Sequence, residues 1–290
     1  MFGKLTKVKI IILLCLFIGL LMKGDSIIKY LIPYDDITPD SNTQVFIKGS
    51  SKTSKVADKS MSKISILITN LGLQQENLKL AKTSDRKMCF GISTYSDNIA
   101  HTIDDILSTG RLTALLLPTQ SINGAISDPG PSALLIESSI SDNARKFKNF
   151  LSKITSNEVG IYLAADSAFS IQQEYALNLI RFLEDNAKSF KCFAYYDVES
   201  GNIMTALLQS SNIAKKAVMI HSVIDQSLTE EGIMSSLDSL AELSFKNGSV
   251  AVGSISATKI SLESLEKWLK ANEDRVELIQ FRDLIPQSDG

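Results

Sequence analysis

Short apolar runs alternate with amphipathic stretches along most of the chain. The runs that predict strands are Ile64–Ile68, Met88–Ile92, Thr113–Leu117, Val159–Leu163, Cys192–Tyr196, Ala217–Ile220, Ser249–Val252 and Glu277–Phe281. The helical patterns between them cover Asn98–Thr109, Ser170 to about Asn186, Leu237–Leu243 and Leu262–Leu269. The sequence Ser170-Ile-Gln-Gln173 has the spacing of a capping box, which predicts a helix start at Ser170. Apolar strands alternating with helices predict a parallel sheet covered by helices, either a closed barrel or an open doubly wound sheet.

The N-terminus predicts a membrane segment. Three lysines, Lys4, Lys7 and Lys9, precede the uninterrupted apolar run Ile10–Met22. No small-residue cleavage site follows the run, so residues 1–34 are predicted to form an uncleaved anchor in the inner membrane. The alternative is a cleaved signal peptide and secretion to the periplasm. Both interpretations place the main domain in the periplasm.

Polar residues separate this segment from the α/β pattern. Residues 35–62 are rich in Ser, Thr, Lys and Asp and predict a flexible linker. The α/β pattern then fills residues 63–286, and residues 287–290 form a short tail. The predicted organisation is therefore an anchor, a linker and one domain.

Composition excludes several classes of function. The chain has 290 residues and a formal net charge of −2, which provides no basic face for nucleic acid. Only two histidines are present, too few for a metal site built mainly from imidazoles. Neither GxGxxG nor a P-loop follows the first strand. Cys89 and Cys192 lie in separate apolar strands, which favours core packing over a disulfide between them.

Polar residues end the first predicted strand. Thr69 and Asn70 follow the run Ile64–Ile68, and Leu71-Gly72 then turns the chain. Because the carboxyl ends of parallel strands meet at one edge, these two side chains are predicted to face a site.

The order of motifs resembles a known family. The sequence segments are ISILITNLGL, FGISTYSDN, LTALLLPTQ, DPGPSALL, VGIYLAADSAF and AVGS. Together they are similar to the divergent polysaccharide deacetylase family over nearly all of residues 62–286. The most specific segment is the Asp128-Pro129-Gly130-Pro131 loop. The resemblance implies a distorted (β/α) barrel outside the cytoplasm.

The resemblance also implies metal-assisted hydrolysis of an acetamide by aspartate and histidine side chains at the strand ends. The positions that would carry these side chains hold other residues here: Thr69 and Asn70, Leu116, Ala164, Tyr195 or Tyr196, His221, and Ser254. Leucine and alanine cannot bind a metal, and a neutral amide is a poor zinc ligand. No cofactor is therefore expected. The alternative is a divalent metal such as zinc, held by Asp166, Asp197 and His221.

Three functions remain open. The preferred one is a periplasmic protein that lacks deacetylase activity and binds an envelope glycan or an envelope protein, with Asp128, Asp166 and Asp197 as candidate binding residues. The second is an active carbohydrate hydrolase with a rearranged site. The third is a structural protein whose pocket is filled by side chains. Tyrosines at positions 162, 195 and 196 are candidates to line the barrel mouth.

Overall fold

The computed structural model describes residues 61–124, 128–196 and 203–285. The strands are β1 (Ser62–Leu71), β2 (Cys89–Ile92), β3 (Thr113–Leu117), β4 (Val159–Leu163), β5 (Phe193–Tyr196), β6 (Ala217–Ile220), β7 (Ser222–Val223), β8 (Ala251–Ser256) and β9 (Val276–Leu278). The helices are α1 (Gln75–Thr83), α2 (Ile99–Ser108), α3 (Ile140–Leu151), α4 (Gln173–Asp185), α5 (Ile203–Gln209), α6 (Glu230–Asn247) and α7 (Lys259–Ala271).

The strands form a nearly closed parallel barrel. Their order in the sheet is β6-β5-β4-β3-β2-β1-β8-β7, and β9 pairs with β1 outside this path. Because β6 and β7 are consecutive in the chain, the two ends of the order meet at His221. There the backbone N–H of His221 donates to the carbonyl of Val252 at 2.8 Å. The sequence left a barrel and an open sheet as alternatives, and the structure is the barrel.

Alternation along the strands divides the core into two layers. The larger cluster packs the outer face of the sheet against the helices, as Ile64, Ile66 and Ile68 of β1 do. The smaller cluster fills the barrel interior and includes Leu67 and Tyr162. A closed sheet of this size has room inside only for side chains. The interior is therefore a packed core.

The C-terminal part of the domain closes the end of the barrel where the strands begin. After β9, a 3₁₀ turn spans Phe281–Leu284. Phe281 and Ile285 pack against the interior cluster together with Leu112, which directly precedes β3. Arg282 lies 3.7 Å from Glu158, which directly precedes β4.

Several predicted boundaries need correction. The predicted run Ser249–Val252 is displaced, since β8 extends to Ser256 and pairs with β1 as far as Thr69. Gly253 lies within this strand. A Cβ at that position would lie 2.6 Å from Ile224 and 2.8 Å from Leu240, so glycine allows α6 to pack closely against β8. The last strand ends at Leu278 because Phe281 turns into the barrel end.

The predicted capping box at Ser170 is wrong. Helix α4 begins at Gln173 after Gln172, which makes no side-chain cap. Ser170 instead ends a 3₁₀ turn, Ala168–Ser170, that Ser167 caps by accepting the N–H of Phe169. The chain is thus held in a separate turn before α4 can start.

Parts of the predicted organisation lie outside the described residues. These are the anchor (1–34), all of the linker (35–62) except its last two residues, and the tail (287–290). Residue 62 already belongs to β1. Among the helices that the structure describes, none has the length and apolar character needed to cross a bilayer.

Candidate functional site

The barrel mouth, where the strands end, brings several of the predicted site positions together. Thr69 pairs in register with Ser256 of β8, and Leu116 pairs with Tyr162 of β4. Leu116 also packs against the interior cluster. Ala164 follows β4 and is half-buried. The side chains present at this end of the barrel decide what chemistry it can perform.

Tyr162 lies in the barrel interior near the mouth. Its ring is buried and lies over Gly91 of β2, where a Cβ would stand 3.0 Å from the ring and 2.9 Å from the carbonyl of Ile68. Its hydroxyl accepts the backbone N–H of Asn70 at 3.3 Å. Burial raises the pKa of Tyr162 above that of an exposed tyrosine, so the phenol stays neutral into the alkaline range. This side chain therefore crosses from β4 to the end of β1.

Tyr196, the last residue of β5, also lies in the interior near the mouth. Its hydroxyl donates to Ser254 Oγ on β8 at 2.7 Å, and both residues are buried. Burial raises the pKa of Tyr196 to about 12, and the nearby carboxylates Asp225 and Asp166 act in the same direction. A pair of neutral hydroxyls thus occupies two positions for which the family resemblance implies an aspartate and a histidine.

The end of β1 has a conformational reason for its polar residues. Asn70 is in the left-handed region with φ 60°, where Asn is tolerated better than most residues, and the pairing of β1 with β2 is irregular there. Its side chain is exposed. Thr69 is buried, and its hydroxyl donates to the carbonyl of Ile255 at 3.3 Å. Both residues serve the local backbone.

Two predicted positions do not face the barrel interior. Tyr195 faces outward into the helix layer, where its hydroxyl lies 3.1 Å from Thr205 Oγ1. Successive residues of a strand face opposite sides, so only Tyr196 of this pair can face the interior. His221 is exposed, and its Nδ1 accepts the N–H of Val252 at 3.0 Å near the start of β8. His221 thus helps close the seam between β6 and β8.

The three candidate binding aspartates have separate surroundings. Asp128 accepts the N–H of Gly130 at 2.8 Å, which stabilises the DPGP turn in which Gly130 has φ +81°. Asp166 accepts from Ser121 at 2.6 Å and joins the loops after β3 and β4. Asp197 lies outside the described residues. Among the described residues, neither Asp128 nor Asp166 nor His221 belongs to a group of three potential metal ligands. Because Asp197 lies outside those residues, the set Asp166, Asp197 and His221 stays a prediction.

The sequence interpretation missed one carboxylate at the mouth. Asp225 is buried after β7, and its Oδ2 accepts from the N–H of Ser256 at 2.9 Å and from Ser261 Oγ at 2.8 Å. Its position after the apolar pair Val223-Ile224 is the pattern of an acid at a strand end, which could have identified it. The predicted strand ends at Ile220 and does not include Val223 and Ile224, so the sequence interpretation does not identify Asp225.

The side chains at the mouth do not fit a metal ion. Within residues 61–124, 128–196 and 203–285, no three His, Cys, Asp or Glu side chains lie together as ligands. Asp166 and Asp225, the two described carboxylates whose charges act on Tyr196, already accept hydrogen bonds from protein groups. What the described residues provide is a packed end to the barrel in which Tyr196 and Ser254 are hydrogen-bonded.

The chain is similar to one protein family and to two solved structures. A model of the family described as divergent polysaccharide deacetylase matches residues 66–285. A crystal structure of an uncharacterized protein from Agrobacterium tumefaciens C58 is 20% identical with a TM-score of 0.67, and the match covers 78% of this chain and 89% of that one. The catalytic domain of a peptidoglycan N-acetylglucosamine deacetylase from Eubacterium rectale ATCC 33656 is 10% identical with a TM-score of 0.41, covering 79% and 94%. No curated protein sequence matches.

Proposed function

Because the chain belongs to the divergent polysaccharide deacetylase family, we propose that it is a member that acts by binding and does not deacetylate its ligand. The ligand is an envelope glycan or an envelope protein. We further propose that the N-terminal segment anchors the chain in the inner membrane with the barrel in the periplasm. The lysines and the apolar run Ile10–Met22 support that location.

The filled mouth is the observation that carries this proposal. Metal-assisted hydrolysis needs anionic or imidazole ligands around an open coordination position. Here Leu116 and Tyr162 pack with the interior cluster near the strand ends, and Tyr196 is hydrogen-bonded to Ser254. Making space there for a metal would require breaking the buried hydrogen bond between Tyr196 and Ser254 and moving the buried rings of Tyr162 and Tyr196.

The test measures metal content and hydrolysis on the full purified chain. We expect less than stoichiometric zinc by elemental analysis after incubation with zinc and dialysis. We also expect no acetate release from N-acetylated chito-oligosaccharides above the buffer blank. Because the described residues provide no group of three metal ligands at the mouth, added zinc should not change either result.

Two variants identify the source of any activity. Asp225→Asn removes the buried carboxylate at the mouth, and Glu242→Gln removes an exposed carboxylate of α6 that is ion-paired only with Lys246 among the described ion pairs. Stoichiometric zinc together with acetate release that Asp225→Asn abolishes and Glu242→Gln retains would overturn the proposal and favour a rearranged active site.

A further inference from the structure

A small groove lies between the DPGP loop and α3, outside the barrel mouth. Its volume is about 140 Å³. Pro118, Pro131 and the buried ring of Phe150 form its apolar part. This space, called here the α3 groove, is large enough for a phosphate or carboxylate group.

Three cations line the α3 groove, Arg145, Lys146 and Lys153, and no Asp or Glu of the described residues lines it. This local excess of positive charge contrasts with the whole chain, whose formal net charge is −2. Arg145 is exposed and lies 3.5 Å from Asp142 within α3. Such an exposed pair contributes little and leaves the guanidinium available to other anions.

The two lysines are held in place by neutral partners. Lys146 Nζ donates to the carbonyl of Ala133 at 2.7 Å, and Lys153 Nζ donates to the carbonyl of Thr94 at 3.3 Å. Neither ammonium has a carboxylate within 4.0 Å among the described ion pairs. An ammonium has three N–H donors, so each retains donors and its full charge for a ligand. Because both side chains are half-buried and already ordered, binding an anion costs less side-chain entropy than it would at free surface lysines.

An aromatic ring contacts the same loop. Tyr95 is 44% exposed, and its hydroxyl donates to the carbonyl of Pro129, which directly precedes Gly130. It also directly follows Thr94, the partner of Lys153. A ring fixed in this way offers an apolar face to a flat ligand such as a sugar ring.

We propose that the α3 groove binds the anionic group of a phosphate- or carboxylate-bearing saccharide, with the sugar extending across the DPGP loop toward Tyr95. This inference rests on the proposed function and names the chemical class of the glycan. A concave groove with neutral polar groups, Ser132 and Asn149, beside its cations suits one anionic substituent flanked by hydroxyls. A membrane surface would instead favour a protruding basic face.

Calorimetric titration of the full chain tests this assignment with defined probes. The probes are trigalacturonate, glucose 6-phosphate, neutral maltotriose and phosphatidylglycerol vesicles. We expect both anionic sugars to bind more tightly than maltotriose, and the difference to shrink with added salt because the attraction is between charges.

Matched variants locate the site. Lys146→Gln/Lys153→Gln removes two charges from the groove and should weaken binding of the anionic sugars about tenfold, while Lys153→Gln alone should weaken it about threefold. Lys148→Gln/Lys188→Gln makes the same charge change at exposed lysines outside the groove and should stay within about twofold of wild type. The single variant keeps the test usable if the double groove variant does not fold.

Three outcomes would overturn the assignment. These are equal weakening by groove and control variants, equal affinity for trigalacturonate and maltotriose, and binding to the vesicles alone. Zinc and acetate assays on the same preparations separate the two proposals. Zinc-dependent acetate release contradicts the non-catalytic function, whereas its absence together with no preference for anionic sugars contradicts only the groove.

Discussion

The side chains of Tyr196 and Ser254 should be energetically coupled in unfolding, because they share a buried hydrogen bond at the mouth. The two oxygens are 2.7 Å apart, and Ser254 is only 1% exposed. Tyr196→Phe leaves the serine hydroxyl without this donor, and Ser254→Ala leaves the phenol without its acceptor. Each change should lower the free energy of unfolding by about 1–3 kcal/mol, the usual cost of a buried group without its partner.

The double variant should cost less than the sum of the two single variants. Removing both hydroxyls leaves no unpaired polar group, so we expect a coupling free energy of about 1–2 kcal/mol. Urea unfolding of each variant, followed by circular dichroism, measures this quantity. A loss of 1 kcal/mol corresponds to a fall in Tm of about 2–4 °C for a domain of this size.

Tyr195→Phe is the matched control for this cycle. Its hydroxyl lies 3.1 Å from Thr205 Oγ1 in the outer layer, where Thr205 is half-buried. Water can replace this partner, so the expected loss is about 0.5–1 kcal/mol. If the costs of Tyr196→Phe and Ser254→Ala add to within about 0.3–0.5 kcal/mol, the two side chains are independent and the account of the closed mouth is refuted.

Three further measurements test other parts of the barrel. Burial raises the pKa of Tyr196 to about 12, so the unfolded chain loses this proton at a lower pH than the folded chain does. The stability that depends on the neutral phenol is therefore complete below about pH 10 and falls by about 1.4 kcal/mol per pH unit toward pH 12. Urea titrations at those pH values should show that Tyr196→Phe removes this contribution. Gly160→Ala would place a Cβ 2.6 Å from Cys192 Sγ and should lower the free energy of unfolding by about 1–3 kcal/mol. Adding Cys192→Ala should recover most of that loss, whereas simple addition of the two costs would contradict the contact. His221→Ala removes the acceptor of the Val252 N–H and should lower the free energy of unfolding by about 1–3 kcal/mol. His221→Asn supplies a side-chain oxygen instead and should have a Tm closer to wild type. Equal Tm values for the two variants would argue against the role of His221 at the seam.

Strand positions were the most predictable part of the fold. The bounds of β3, β4 and β6 agree with the predicted runs because each is a short apolar segment between polar turns. Helices α1 and α3 were not predicted, since their sequences carry many charged and polar residues and bury only a narrow face, such as Leu78 and Ala81 of α1. The two-residue strand β7 is too short to produce a periodic pattern.

The candidate site was only partly predictable. The sequence identified Thr69, Leu116 and Ser254 as positions at the strand ends, and pairing within the sheet brings them to one end of the barrel. It could not choose between Tyr195 and Tyr196, because the choice depends on which face of β5 is interior. It also missed Asp225, whose role depends on contacts with Ser256 and Ser261 on other elements.

By itself, the sequence determined the alternation of buried strands with helices, the family resemblance and, through that resemblance, the presence of other residues where ligands are expected. These properties are local, since each depends on residue type and on spacing along the chain. Only the tertiary structure decided that Tyr162 and Tyr196 pack at the mouth, that His221 closes a seam, and that Lys146 and Lys153 share a groove with Pro118 and Pro131. Those features depend on distances between strands and helices far apart in sequence, and closure of the barrel sets these distances.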